Sequence, residues 1–266
     1  MLILLLSFVF TACKDKETTF HREPWDDTPA FWIWNQTTPW TPHPSLHNYL
    51  QVAEFTATSH REFQAPPPGP NTTPVVRLPA GRATLEDPKF TQRFLAWAHR
   101  FLKKSPHTRL QLDYDCSTST LGYYAKFLVD LRQQLKLDHL SVTALASWVD
   151  APDFHELCQS VDELAPMFYD LEVDQPASIR AHTPRALVSP ETLSWIQKWN
   201  QCPVTWRAGL PNFQRLSLFE SSGQLVGHLQ RWSPSHLSRF SGLTPLPQKA
   251  PNALTFKITR ETQYHG

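Results

Sequence analysis

Two aspartates, Asp113 and Asp115, close a stretch in which apolar and polar residues alternate, LQLDYD at residues 110–115. Alternate residues of a strand share a face, so the two carboxylates lie on one side, roughly 7 Å apart along the strand. An unneutralised pair of this kind raises the pKa of one member, which suits acid/base catalysis or the binding of sugar hydroxyl groups. In the structural alternative, Asp113 pairs with Arg77 or Arg207. Asp115 then caps the following helix.

Other polar and aromatic residues stand where predicted strands end. If these strands form a parallel barrel, their ends converge on one mouth, where barrel enzymes carry their active sites. Glu54 is a reserve acid for the catalytic pair Asp113 and Asp115. Trp148 suits stacking on a sugar ring, although packing in the core explains it equally well. The remaining candidates for ligand binding are Arg77, Tyr169, Asp170 and Arg207.

One β/α unit positions the two aspartates. On its strand, Leu110, Leu112 and Tyr114 take the face opposite the carboxylates, which predicts that they pack against helices. Residues 117–120 offer hydroxyl groups as helix N-caps. The helix that follows carries an apolar stripe at helical spacing, formed by Leu121, Tyr124, Leu128, Leu131 and Leu135.

Strand and helix patterns alternate four times between residues 75 and 207, with helices opening at Asp87, Asp150 and Ser189. That alternation favours parallel strands with right-handed crossovers. Strands at 31–34, 49–55 and 254–258 bring the total to about eight. We therefore predict an irregular α/β (β/α)8 TIM-like barrel in a single domain, residues 31–260, with a β-hairpin insertion near 213–228. The competing doubly wound sheet normally carries G-x-G-x-x-G, which is absent from the sequence.

The barrel register makes a geometric prediction about the site. Met167 and Tyr169 share a parity and should point inward, as Asp113 does. We expect the side chains of Asp113 and Tyr169 within direct or one-water reach, in a cleft rimmed by Trp148 and Arg207. Apolar neighbours should leave at least one carboxylate incompletely solvated, which raises its pKa unless an arginine compensates.

The N-terminal residues predict where the protein is located in the cell. Residues 1–12 form an apolar run that is too short to span a bilayer and resembles the h-region of a secretory signal. FTAC at residues 10–13 resembles a bacterial lipobox, although no Lys or Arg precedes the run and Phe10 stands where Leu is usual. The resemblance implies a lipid anchor on Cys13, followed by a tether over residues 13–30. Lys14 in place of Asp implies the outer membrane of the cell envelope, facing the periplasm. The alternative is a free hydrophobic tail.

Composition excludes several classes of protein. Charge is balanced, with 25 Lys and Arg against 24 Asp and Glu, so the basic signature of a nucleic-acid-binding protein is missing. The 12 histidines are scattered and no H-E-x-x-H occurs, which disfavours metal catalysis, and we expect no cofactor. Beyond Cys13, the three cysteines Cys116, Cys158 and Cys202 allow at most one disulfide within the chain. Their spacing fits no metal motif, and three small buried residues is the simpler interpretation.

Three segments together resemble an uncharacterised family of bacterial lipoproteins, the domain of unknown function family 3142. They are LQLDYD at 110–115, LSVTALASW at 140–148 and VDELAPMFYD at 161–170. With GLP at 209–211 and the hairpin after it, the resemblance runs from about residue 31 to 260. The resemblance implies a location in the cell envelope and a fold, and says less about a reaction.

A more distant similarity is to chitinase-type barrels, the family 18 glycoside hydrolases. Those proteins carry D-x-D-x-E and M-x-Y-D runs, which Asp113, Asp115 and residues 167–170 match in type and order. The catalytic Glu would fall at Ser117, and a serine cannot protonate a leaving oxygen as a general acid. We therefore predict an anchored lipoprotein whose glycosidase-like barrel acts on or binds carbohydrate. The alternatives are a glycan-binding module without catalysis and a structural lipoprotein with a protein partner.

Overall fold

The computed structural model describes residues 29–34, 45–65, 69–104, 107–169, 171 and 189–211, and beyond them the backbone of four short strands. One sheet contains seven parallel strands in the order β1-β2-β4-β5-β6-β7-β8, and β3 pairs antiparallel with β2. These strands are, in chain order, β1 (Ala30–Ile33), β2 (His47–Phe55), β3 (His60–Glu62), β4 (Thr72–Arg77), β5 (Arg109–Asp113), β6 (His139–Leu145), β7 (Glu163–Met167) and β8 (Thr205–Trp206).

Helices connect the parallel strands from β4 onward, as the alternating pattern predicts. The helices are α1 (Arg82–Glu86), α2 (Pro88–Lys104), α3 (Leu121–Leu135), α4 (Phe154–Ser160) and α5 (Pro190–Trp199). Two 3-10 turns, Thr118–Thr120 and Ala146–Asp150, precede α3 and α4. The predicted openings at Asp87 and Ser189 are confirmed, because their side chains accept backbone N–H groups of the first turns of α2 and α5.

The sheet is strongly curled. Tyr49 on β2 donates a hydrogen bond to Glu163 on β7, although three strands lie between them in the sheet. In a flat sheet, strands four steps apart would be separated by about 19 Å. Trp32 on β1 likewise donates to Gln111 Oε1 on β5, at 2.6 Å. Contacts across the inside of the sheet require a barrel-like curvature, so the predicted irregular (β/α) barrel is confirmed.

The two faces of β5 behave as the alternation predicts. Leu110, Leu112 and Tyr114 are buried with the helices, and the ring of Tyr114 lies 4.8 Å from that of Tyr124 on α3. The opposite face points into the barrel, where Gln111 also donates to Ser141. The predicted apolar stripe of α3 is confirmed, since all five of its residues are buried.

Three local expectations are wrong. The helix expected to open at Asp150 begins only at Phe154, because Asp150 ends the preceding 3-10 turn. Residues 117–120 do not cap α3 with their side chains; they form the 3-10 turn, in which the Ser117 hydroxyl bonds to those of Ser119 and Thr120. The predicted last barrel strand, β12 (Phe256–Ile258), pairs antiparallel with β11 (Leu243–Pro245) in a separate sheet. An antiparallel partner needs only a short connection, whereas a parallel barrel position needs a long crossover. The predicted hairpin is confirmed as β9 (Leu216–Phe219) with β10 (Leu225–Leu229).

Several predictions fall outside the described residues. They concern the apolar run at 1–12, Cys13, most of the tether, and Asp170. Within the described part of the chain, no helix has both the length and the apolar character needed to cross a membrane. Anchoring through Cys13 therefore stays a prediction.

Candidate functional site

Arg77 brings the two predicted catalytic aspartates together. It is the last residue of β4 and lies beside Asp113, the last residue of β5, in the parallel register. Its Nη1 lies 3.3 Å from Asp113 Oδ2, and its Nη2 lies 3.4 Å from Asp115 Oδ2. One guanidinium therefore bridges both carboxylates at the C-terminal ends of the strands. We call Arg77, Asp113 and Asp115 the bridged cluster.

One end of the bridged cluster is buried and the other end is exposed. Asp113 is only 3% exposed. Its Oδ1 accepts a hydrogen bond from the Thr143 hydroxyl on β6, at 2.7 Å. In contrast, the side chains of Arg77 and Asp115 are 46% and 40% exposed. Asp113 therefore fixes the arginine from inside, while Arg77 and Asp115 present polar atoms to solvent.

Thr143 is a site residue that the sequence prediction missed. On β6 it alternates with apolar residues and shares the inward side with Ser141. A polar residue at every second position of a buried strand was the available signal, because parallel barrel strands otherwise carry apolar side chains.

Burial raises the pKa of Asp113 from its ordinary value of 3.8 to about 6. The neighbouring charge of Asp115 adds to this rise. Arg77 and the hydrogen bond from Thr143 oppose it, and Glu54 adds a smaller rise. The prediction that one carboxylate is incompletely solvated and has a raised pKa is confirmed. Arg77 compensates for the burial of Asp113 only in part.

Asp115 retains hydrogen-bonding capacity. The expectation that it caps the next helix is wrong, because α3 begins only at Leu121 after a 3-10 turn, and Asp115 pairs with Arg77 instead. Its other oxygen, Oδ1, has no hydrogen-bond partner among the described residues. Glu54, the predicted reserve acid, stands beside Arg77 in the β2–β4 register, so a third carboxylate lies near the cluster.

Trp148 is not a stacking platform. It is fully buried, its Nε1 donates to the carbonyl oxygen of Cys116 at 3.1 Å, and its ring meets that of Tyr124 edge-on. The 3-10 turn after β6 places the indole beneath α3 instead of at the mouth of the barrel. Core packing, the alternative left open by the sequence, is the correct interpretation.

Tyr169 and Arg207 have described partners outside the bridged cluster. The Tyr169 hydroxyl donates to the sulfur of Met167, just beyond the C-terminal end of β7. Arg207 is buried in the barrel interior, with Nε 3.7 Å from Glu163 Oε1. The predicted proximity of Tyr169 to Asp113, and the binding roles of Tyr169 and Arg207, stay predictions.

A second polar group lies in the barrel interior, and of its members the sequence analysis named only Arg207. Glu163 accepts a hydrogen bond from the Tyr49 hydroxyl at 2.5 Å. It also faces Arg207, and its second oxygen lies 4.0 Å from His139 Nε2. Burial and the adjacent Glu163 carboxylate raise the pKa of Tyr49 far above its ordinary value, so this phenol remains a donor. We call Tyr49, Glu163 and Arg207 the interior cluster.

Comparison with known proteins identifies the family. The family described as "Domain of unknown function (DUF3142)" matches residues 71–227. The chain belongs to the DUF3142 family. The resemblance inferred from three short segments is therefore confirmed. None of the curated proteins compared with the chain matches it.

Solved structures similar to this DUF3142 protein include chitinase domains. The chitinase domain of the spore coat protein CotE from Clostridium difficile superimposes with a TM-score of 0.53 at 12% identity, covering 96% of this chain and 84% of that chain. A chitinase from Rhizomucor miehei gives a TM-score of 0.49 at 15% identity, covering 87% and 76%. At 12% identity the likeness to the CotE domain concerns the fold alone, and it agrees with a chitinase-like barrel.

Proposed function

We propose that this protein binds carbohydrate through the bridged cluster, at the C-terminal ends of its barrel strands, and does not hydrolyse it. The observation that carries the proposal is the guanidinium of Arg77, which pairs with both Asp113 and Asp115. Both carboxylates are already engaged by one cation, and Asp113, whose pKa is raised, lies buried beneath the surface that a sugar would contact. Ser117 stands where the family 18 run has its acid. The chitinase-like fold supports the ligand class.

The chemistry of the cluster suits vicinal sugar hydroxyl groups. A guanidinium has five N–H donors, of which Arg77 directs only part toward its two aspartates. Asp115 supplies its Oδ2 as an acceptor, because its Oδ1 is buried. A pair of adjacent hydroxyls, each both donor and acceptor, can satisfy both groups at once. Charge-assisted hydrogen bonds of this type are stronger than neutral ones.

One observation favours a second candidate, a glycosidase in which Asp113 is the proton donor. Its pKa of about 6 means that a substantial fraction is protonated in mildly acidic solution. A general acid needs this property, and Asp115 would then act as the base or nucleophile. Against this candidate, Asp113 is almost wholly buried and bonded to Thr143, so it lies below the surface that a glycosidic oxygen would contact.

Titration of the full chain with chito-, cello- and xylo-oligosaccharides, followed by mass spectrometry of the sugars, separates the two candidates. We expect saturable binding of one class, recovery of the sugar intact, and an affinity about tenfold weaker for Asp115→Asn. Glu86→Gln is the matched control, because Glu86 is a similarly exposed carboxylate paired with Arg82 on α1. Cleavage products that disappear in Asp113→Asn would favour the glycosidase. No binding to any sugar would reject both.

We further propose that the protein is anchored in the bacterial envelope by a lipid on Cys13. The lipobox-like residues 10–13, at the C-terminal end of an apolar run, support this anchoring. Labelling cells with a clickable fatty acid should tag the wild type and Cys116→Ser, but not Cys13→Ser. A labelled Cys13→Ser variant would show that the lipobox interpretation is wrong.

A further inference from the structure

Two cysteines from different parts of the chain face each other. Cys158 belongs to α4 and Cys202 follows α5, and their sulfur atoms lie 3.9 Å apart. Neither is part of a disulfide in this structure, and both are buried. The third described cysteine, Cys116, follows β5 and lies beside Trp148, whose indole donates to its carbonyl oxygen.

We propose that Cys158 and Cys202 are a disulfide site, oxidised by thiol–disulfide exchange with a small or protein disulfide. The thiolate of one cysteine attacks the oxidant, forms a mixed disulfide and releases one thiol. The second cysteine then attacks the mixed disulfide and releases the other thiol. The chain loses two protons and two electrons in total, and the oxidant takes them up to become two thiols.

Packing on both sides holds the two cysteines in place. Phe154 on α4 meets Trp199 on α5 edge-on, with ring centres 5.2 Å apart. The indole of Trp199 donates to the carbonyl oxygen of Ala146 at 2.8 Å, and its own carbonyl oxygen accepts the backbone N–H of Cys202 at 2.9 Å. A disulfide bond is about 2.0 Å long, so the sulfurs must approach by roughly 2 Å. Rotation of the two cysteine side chains would have to supply this shift.

The crosslink would stabilise the edge of the described sheet. It closes a loop over residues 159–201, which includes β7 and α5. The last parallel strand, β8, begins three residues after Cys202 and pairs with β7 at only two positions. A crosslink over a long loop restricts the unfolded chain strongly, and here it also holds α4 against the connection into β8.

The environment of the thiols determines when the bond forms. The hydrogen bond with Cys202, followed by burial, raises the pKa of the Cys158 thiol far above its ordinary value. The thiolate is the attacking species in exchange, so the folded, reduced protein should react slowly. The bond therefore forms while the chain folds, or during local opening of α4.

Refolding the full chain in a buffer of oxidised and reduced glutathione, against refolding in reductant, tests the proposal. Thiols are blocked with a maleimide in denaturant, and the peptides are mapped by mass spectrometry. We expect a Cys158–Cys202 linked pair lighter by two hydrogens, and a thermal midpoint several degrees above that of the reduced protein. Oxidation of the protein folded beforehand should be slower by at least about an order of magnitude.

Single variants provide the controls. Cys116→Ser should form the same link, whereas Cys158→Ser and Cys202→Ser should have midpoints that do not respond to oxidant. Alkylation of both residues after oxidative refolding would overturn the proposal, as would a link to Cys116 or a lower midpoint on oxidation. If a serine variant fails to fold, the wild-type peptide map still decides the question.

Discussion

Two buried carboxylates in the described part of the barrel have similar partners and different surroundings. Asp113 and Glu163 each face an arginine and each accept a hydrogen bond from a hydroxyl group. The arginine beside Asp113, Arg77, is nearly half exposed and extends to a second carboxylate at the barrel mouth. The arginine beside Glu163, Arg207, is buried.

This difference separates a site from a structural contact. Glu163 and Arg207 are buried together and present little polar surface to a ligand, and losing one member of a buried ion pair strongly lowers stability. The bridged cluster is anchored inside by Asp113 but keeps Arg77 and Asp115 accessible, so a ligand can compete with water there. The interior cluster should therefore determine folding, and the bridged cluster should determine binding.

The largest expected effect concerns the interior cluster. Glu163→Ala leaves Arg207 buried without its carboxylate and removes the acceptor for Tyr49, so the free energy of unfolding should fall by about 3–5 kcal/mol. Urea unfolding of the purified variant measures this. Asp115→Ala, which breaks an exposed pair, should change it by about 1 kcal/mol or less. Equal losses for the two variants would remove the distinction between the clusters.

The next effect is the pH dependence contributed by Asp113. Its folded pKa of about 6 lies above its ordinary value of 3.8, so the folded state binds the proton more tightly than the unfolded chain. The contribution of Asp113 to stability is full below about pH 4 and is lost as pH rises through 6, a change of about 3 kcal/mol. The free energy of unfolding, measured between pH 4 and 7, should fall with rising pH in the wild type. It should fall less steeply in Asp113→Asn. An unchanged slope would contradict the assignment.

A smaller effect should confirm that Trp148 belongs to the core. Trp148→Phe shortens the ring and removes its hydrogen bond to Cys116, so stability should fall by about 2 kcal/mol. Sugar affinity of the folded variant should stay within about twofold of the wild type, since no part of the indole reaches solvent. Calorimetric titration and thermal unfolding of the same sample provide both values. If Trp148→Phe lost sugar affinity while its stability stayed unchanged, Trp148 would belong to the binding site after all.

Short-range patterns predicted much of the fold. The alternation at residues 110–115 assigned the faces of β5 correctly, because strand parity is a local property of the chain. The stripe of α3 and the openings of α2 and α5 follow equally local rules. The pairing of Asp113 with Arg77 belongs to the structural alternative that the sequence offered, in which Arg77 or Arg207 neutralises Asp113.

Long-range contacts could not be predicted in this way. Tyr49 and Glu163 are 114 residues apart and meet only because the sheet curls. The burial of Trp148 depends on how the 3-10 turn after β6 directs its ring beneath α3, which no periodicity reveals. The contact between Cys158 and Cys202 likewise depends on the packing of α4 against α5.

The central claim is that Arg77 binds sugar while the interior cluster maintains the fold. Calorimetric titration of the tightest-binding oligosaccharide of the panel into the wild type, Arg77→Gln and Arg82→Gln tests it most directly. Arg82 is the control, because it is an equally exposed arginine whose carboxylate partner, Glu86, does not belong to the bridged cluster. We predict an affinity at least about tenfold weaker for Arg77→Gln and unchanged for Arg82→Gln, with the sugar intact. Equal affinity of Arg77→Gln and the wild type would contradict the claim.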